Sequence, residues 1–129
     1  MFERWLAALS APHDAALLAA AVADDVRVDR HAPATSTAPG EPLAPIAETF
    51  ATAVELAAWF RRTPAVCTFA LVGEPAPHPE TADDAWAIDY SITAGEFFNT
   101  GLWIARPTAD DRVATLAHRP HALSPDHGR

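Results

Sequence analysis

Residues 4–9, Arg4-Trp5-Leu6-Ala7-Ala8-Leu9, and residues 23–29, Ala23-Asp24-Asp25-Val26-Arg27-Val28-Asp29, frame the part of the chain that decides its fold. Phe2, Trp5, Leu6 and Leu9 recur at helical spacing, which predicts a first helix with one apolar face. Pro12 cannot sit inside that helix, because it lacks a backbone donor and its ring clashes with the preceding turn. Asp14 is placed to cap a second helix presenting Leu17, Leu18, Ala21 and Val22. The Asp24-Asp25 pair is expected to stop it. Residues 26–31 then alternate apolar and polar, the period of a half-buried strand.

Residues 32–45, APATSTAPGEPLAP, have no period and are rich in Pro, Ala and Thr. They predict a long surface loop, either a lid over a pocket mouth or a disordered segment. Residues 46–51 read as a short strand. Thr52-Ala53-Val54-Glu55 spells a capping box, in which the Thr hydroxyl and the Glu carboxylate each satisfy a free backbone donor at a helix start. The third helix carries Leu56, Trp59 and Phe60 on one side. It ends at Arg61-Arg62, where cations suit the dipole, before Pro64. Strands are expected over 66–73, 85–92, 96–106 and 112–119, separated by the turn-rich pieces GEPAPHPETADD, TAGE and PTADD. Residues 1–119 thus read as one domain, and 120–129 as a frayed polar tail.

Three helices and a run of antiparallel strands make an α+β chain, and a curved sheet around the helices buries their apolar faces. The order of elements, Ala23-Asp24-Asp25 before the first strand and Trp59-Phe60 near the end of the third helix together resemble the nuclear transport factor 2-like superfamily. That superfamily includes the SnoaL-like proteins and ketosteroid isomerase. The resemblance covers residues 2–119. It implies three N-terminal helices packed in the concave face of a curved, mostly antiparallel sheet, a cone-shaped α+β barrel with an interior pocket.

Composition narrows the function classes. With 129 residues the chain is long enough for a core without disulfides or metal. Half of it is apolar, but 30 residues are Ala, so the core rests on six Phe, four Trp and the branched aliphatics. The net charge is −8, and all nine cations are Arg, scattered along the chain. An acidic chain without an Arg-rich stripe argues against nucleic acid and anionic membranes as partners. Cys67 is alone and lies in an apolar strand pattern, so it reads as a packed thiol. The longest purely apolar run, residues 15–23, is too short to span a bilayer, and a cytoplasmic protein is expected.

Alternation assigns the candidate site. Trp86, Ile88, Tyr90 and Ile92 share one face of their strand, and Phe97, Asn99, Gly101, Trp103 and Ala105 one face of the next. The resemblance to ketosteroid isomerase puts Trp86, Tyr90, Asn99 and Trp103 on the concave side, with Val26, Val28 and Arg30 from the first strand. That is an aromatic cavity with few polar groups, the usual character of a small-molecule site. The isomerase needs a carboxylate base, a Tyr from the first helix and a protonated Asp. Arg30, Trp5 and Gly101 stand at those positions here, and none is of the required type, so steroid isomerisation is not expected. Arg30 and Asn99 are the candidate ligand-binding groups, with Tyr90 beside them. An Arg fork in an apolar cavity suits a carboxylate, enolate or phenolate. The plainer role for Arg30 is an ion pair at the rim, with Glu48 among its partners. Trp5 and Trp59 sit at core spacing, and Trp59 is also a candidate ligand contact.

His118 is the catalytic candidate, since histidine transfers protons near neutral pH. The last strand is read with Val113, Thr115 and Ala117 inward, which turns His118 away. The opposite register brings Leu116 and His118 inward. His118 and His121 are spaced as H-x-x-H, yet Pro120 intervenes and no third ligand is evident, so no metal is expected. No cofactor is expected either. Two functions fit: a SnoaL-like protein that binds a small apolar or aromatic molecule and isomerises, cyclises or dehydrates it, or a non-catalytic binding or assembly module whose pocket is filled by its own side chains. Phe98, Leu102 and Ile104 lie opposite the pocket face, joined by Leu116 in the same register. An apolar outer face of this kind predicts a homodimer.

Overall fold

The computed structural model describes residues 1–32, 46–62 and 68–121. Residues 33–45 of the loop expected at 32–45, Cys67, and residues 122–129 of the tail expected at 120–129 lie outside them. Helices α1 (Phe2–Ser10) and α2 (Ala15–Ala21) are followed by β1 (Val22–Ala32), β2 (Ile46–Phe50) and α3 (Ala53–Arg62). Strands β3 (Thr68–Pro77), β4 (Trp86–Ala94), β5 (Phe97–Pro107) and β6 (Val113–Pro120) complete the chain. They form one six-stranded sheet in the order β2-β1-β6-β5-β4-β3. The last four strands are an antiparallel meander, and β1 joins its end by pairing parallel to β6.

The caps form where the sequence puts them. The Asp14 carboxylate accepts from the backbone of Ala16 at 3.0 Å and of Leu17 at 3.3 Å. The Thr52 hydroxyl accepts from the Glu55 amide at 3.2 Å. Glu55 reaches back one residue beyond the cap, to the amide of Ala51 at 2.7 Å. Each such cap is worth about 1 kcal/mol.

All three helices share one core with one face of the sheet. Phe2, Trp5 and Ala8 of α1, Leu18 and Ala21 of α2, and Leu56 and Phe60 of α3 are buried with Val26, Val28, Ile88, Tyr90, Trp103, Val113 and Leu116. Ala85, Ala87 and Ile104 form a second, smaller cluster on the other face, with Leu102 and Ala117 packed against it.

Two of the departures from expectation arise at bulges. The pair Asp24-Asp25 does not stop α2, which ends at Ala21. Both aspartates lie inside β1, exposed, where the register against β6 shifts between Val22 and Arg27. A bulge lets the strand turn two charged residues to water while Val26 and Val28 stay inside. The second failure concerns β6. Pro107 pairs with Val113 but Arg106 pairs with Thr115, which leaves Ala114 as an extra residue. One extra residue reverses the alternation. Val113 is inward as read, but Leu116 and His118 are inward too, and Ala117 packs on the outer face. Leu116 is therefore core and not part of the outer apolar surface. The paired strand also runs through Pro120, and His121 donates its amide to the Thr100 carbonyl at 2.9 Å, so Pro120 and His121, expected in the tail, are held to the sheet.

Candidate functional site

Sheet register places Arg30, His118, Trp103 and Ile88 in one cross-strand row. Tyr90 stands two residues further along β4 on the same face, opposite Gly101. Because Gly101 has no side chain, the Tyr90 ring lies over it, where a Cβ would sit only 2.4 Å from Cζ and Oη. That diagonal lets the Tyr90 hydroxyl cross β5 and reach Nε2 of His118 on β6 at 3.0 Å. Trp103 donates its indole N–H to Nδ1 of the same ring at 2.9 Å.

These two bonds determine the protons. An indole nitrogen only donates, so Nδ1 of His118 must accept. The neutral ring then carries its proton on Nε2 and gives it to Tyr90 Oη. The phenol's own proton is directed away from His118. Tyr90 remains a phenol: burial raises its pKa, outweighing the nearby Arg30 charge, which lowers it. The result is an O–H donor held by a chain of two other donors in an apolar setting.

Aromatic rings pack round this chain. Tyr90 stacks on Trp103 with centroids 4.6 Å apart and planes 15° from parallel. Phe69 lies 6.0 Å from Tyr90 and 5.9 Å from Trp103. Trp5 meets Trp103 edge-on at 6.3 Å, and its buried Nε1 has no hydrogen-bond partner. Arg30 adjoins the row from β1. Its Nη1 donates to Glu48 Oε1 at 2.9 Å, and its guanidinium stands 5.2 Å from the Trp59 ring centroid.

The structure therefore brings together Arg30, Trp59, Tyr90, Trp103 and His118. Asn99 is buried on the same face, paired with Ile92, but its amide nitrogen donates to the His121 carbonyl at 3.1 Å and anchors the end of β6. Trp86 is on the expected face yet at the other end of it. Four residues along β4 separate it from Tyr90, about 13 Å. It is 40 % exposed. Phe69 was missed, because β3 is an edge strand on which Phe69 and Leu71 are the only half-buried residues and the rest are exposed.

Chemically, this is a set of donors. Among the described residues no carboxylate is buried, and the buried polar groups of the site are the Tyr90 hydroxyl, the Trp103 indole N–H and the Asn99 amide. Both ring nitrogens of His118 are engaged, so acting as a base would require it to release Trp103 or Tyr90. No cluster of metal-ligating side chains occurs among the described residues. No described helix is long and apolar enough to cross a membrane.

No family model matches the chain, and no curated protein does. Solved structures do match. A nuclear transport factor 2-like protein of unknown function from Exiguobacterium sp. 255-15 is 15% identical, with a TM-score of 0.65 over 95% of this chain and 98% of that one. A SnoaL-like family protein from Agrobacterium tumefaciens str. C58 is 14% identical, with a TM-score of 0.63 over 94% of each chain. A computationally designed 17-OHP binder is 16% identical, with a TM-score of 0.62 over 98% of this chain and 89% of the design. Three helices on a six-stranded, mostly antiparallel sheet in this order are the nuclear transport factor 2-like fold, and this chain has that fold.

Proposed function

We propose that the chain is a cytoplasmic SnoaL-like protein that binds a small apolar or aromatic molecule inside the cone formed by its helices and curved sheet. The ligand's oxygen is received by the Tyr90 hydroxyl. The observation that carries this reading is the Trp103–His118–Tyr90 chain, which fixes a phenol donor in an aromatic setting beside Arg30. A designed protein of the same fold that binds 17-OHP supports the choice of ligand class. The lack of a buried carboxylate among the described residues favours binding over proton abstraction, and His118 is assigned to holding Tyr90 rather than to catalysis.

Arg30→Met keeps stem length and apolar bulk while removing the charge. Calorimetric titration should show affinity for 2-naphthoate falling by about 1.5 to 3 kcal/mol, the scale of a charge-assisted hydrogen bond. Affinity for the neutral 2-acetylnaphthalene should change much less. Equal losses for both would assign Arg30 to packing, and no loss for either would place it outside the site.

The second reading is an assembly module with a filled interior. It is favoured by the Tyr90 ring, which occupies the space over Gly101 and is completely buried. Both readings include a homodimer formed through the outer sheet face, where Phe98 is 49 % exposed and Leu102, four residues along β5, is half-buried. Light scattering at micromolar concentration should return the mass of two chains. The mass of one would remove the dimer from either reading.

A further inference from the structure

Trp86 points to a second site, separate from the Tyr90 row. Phe2, Leu71, Ile88, Trp86 and Pro107 form the apolar part of a half-open cleft of about 410 Å³ at the end of the sheet away from Arg30. The cleft opens where β3 leaves its register with β4 between Val72 and Ala76. Gly73 takes a φ of 78° there, with no atom within 4 Å of where its Cβ would be. A bulge at that place turns the edge strand aside and leaves the indole of Trp86 uncovered.

Charge makes the cleft selective. Glu3, Glu74 and Asp111 line it, and no Arg does. The Met1 ammonium pairs with Asp111 at 3.0 Å. Glu3 and Glu74, both exposed, have no ion-pair partner among the described residues. The cleft therefore joins an apolar floor, an uncovered indole and two uncompensated carboxylates. An indole face attracts cations, most strongly where water is partly excluded. An anionic guest would be repelled by both carboxylates, and a neutral one would gain nothing from them.

We infer that this cleft binds a small organic cation, an arylalkyl ammonium whose apolar end rests on Phe2 and Ile88 and whose charge lies between Trp86 and the carboxylates of Glu3 and Glu74. The inference does not depend on the Tyr90 reading: of its residues only Ile88 stands in that row, and it takes no part in the Trp103–His118–Tyr90 chain.

The test is titration of the whole chain with 4-phenylbutylammonium, 4-phenylbutanol and 4-phenylbutyrate, followed by the indole N–H resonance of Trp86 and identified by its absence in Trp86→Leu. The ammonium should shift that resonance and bind more tightly than the alcohol, and the carboxylate should bind least. Glu3→Gln combined with Glu74→Gln should weaken the ammonium roughly fivefold, and Trp86→Leu roughly threefold. Alcohol binding should be almost unchanged in the double variant. Equal binding of alcohol and ammonium, a preference for the carboxylate, or a shift confined to the other three indoles would overturn the inference.

Discussion

Gly101→Ala is expected to lose about 3 kcal/mol of stability, at the upper end of the usual cost of overpacking a core. The added Cβ would lie 2.4 Å from Cζ and Oη of Tyr90 and 2.6 Å from Cε1. The ring has nowhere to go. It is fully buried, stacked on Trp103 at 4.6 Å and held through its hydroxyl by His118. The effect is steric and belongs to the pair, so the two sites should couple strongly. In a Tyr90→Ala background, the same Gly101→Ala change should cost well under 1 kcal/mol. Urea unfolding of the four proteins in this cycle gives the answer. Similar costs in both backgrounds would mean that the Tyr90 ring does not lie over Gly101.

His118→Leu should lose about 3 kcal/mol as well, for a different reason. Leu approximates the volume of imidazole but accepts nothing from the Trp103 indole and donates nothing to Tyr90. A buried donor left without a partner costs about 1 to 3 kcal/mol, more than the bond itself contributes. Trp103→Phe should therefore be markedly less harmful in the His118→Leu protein than in the wild type, since the stranded N–H is then removed. Thermal or urea unfolding measures the difference. Additive losses would show that the indole N–H of Trp103 is not satisfied by His118.

Local chemistry in the sequence fixes local structure well here. Asp14 and the Thr52–Glu55 pair start their helices as read, because a cap depends only on residues within one turn. Strands β4, β5 and β6 fall within two residues of their expected bounds, whereas β3 runs on past the expected end at Gly73 to Pro77, through a bulge in a stretch read as a turn. What alternation could not supply was depth and bulges. Trp86 lies on the face assigned to it but at the far end, since a period of two tells side from side and not one end from the other. The inward turn of His118 depends on one extra residue, Ala114, and nothing in the pattern from Val113 to Arg119 marks it. The parallel pairing of β1 with β6 joins residues about ninety positions apart and has no local signal. Gly101 was noted only for the acid it lacks. Its role is to admit the Tyr90 ring, visible only once β4 and β5 are paired.

The central claim is that Tyr90 receives a ligand's oxygen, and comparing two neutral ligands of nearly equal shape tests it most directly. 2-Acetylnaphthalene offers a carbonyl acceptor, and 2-isopropylnaphthalene does not. Calorimetric titration of the wild-type chain should favour the ketone by about 0.5 to 1.5 kcal/mol, the net worth of one hydrogen bond. In Tyr90→Phe that preference should vanish while the hydrocarbon's affinity stays nearly constant. Binding of neither ligand, or a preference that survives in Tyr90→Phe, would contradict the claim and leave the filled interior of the assembly module.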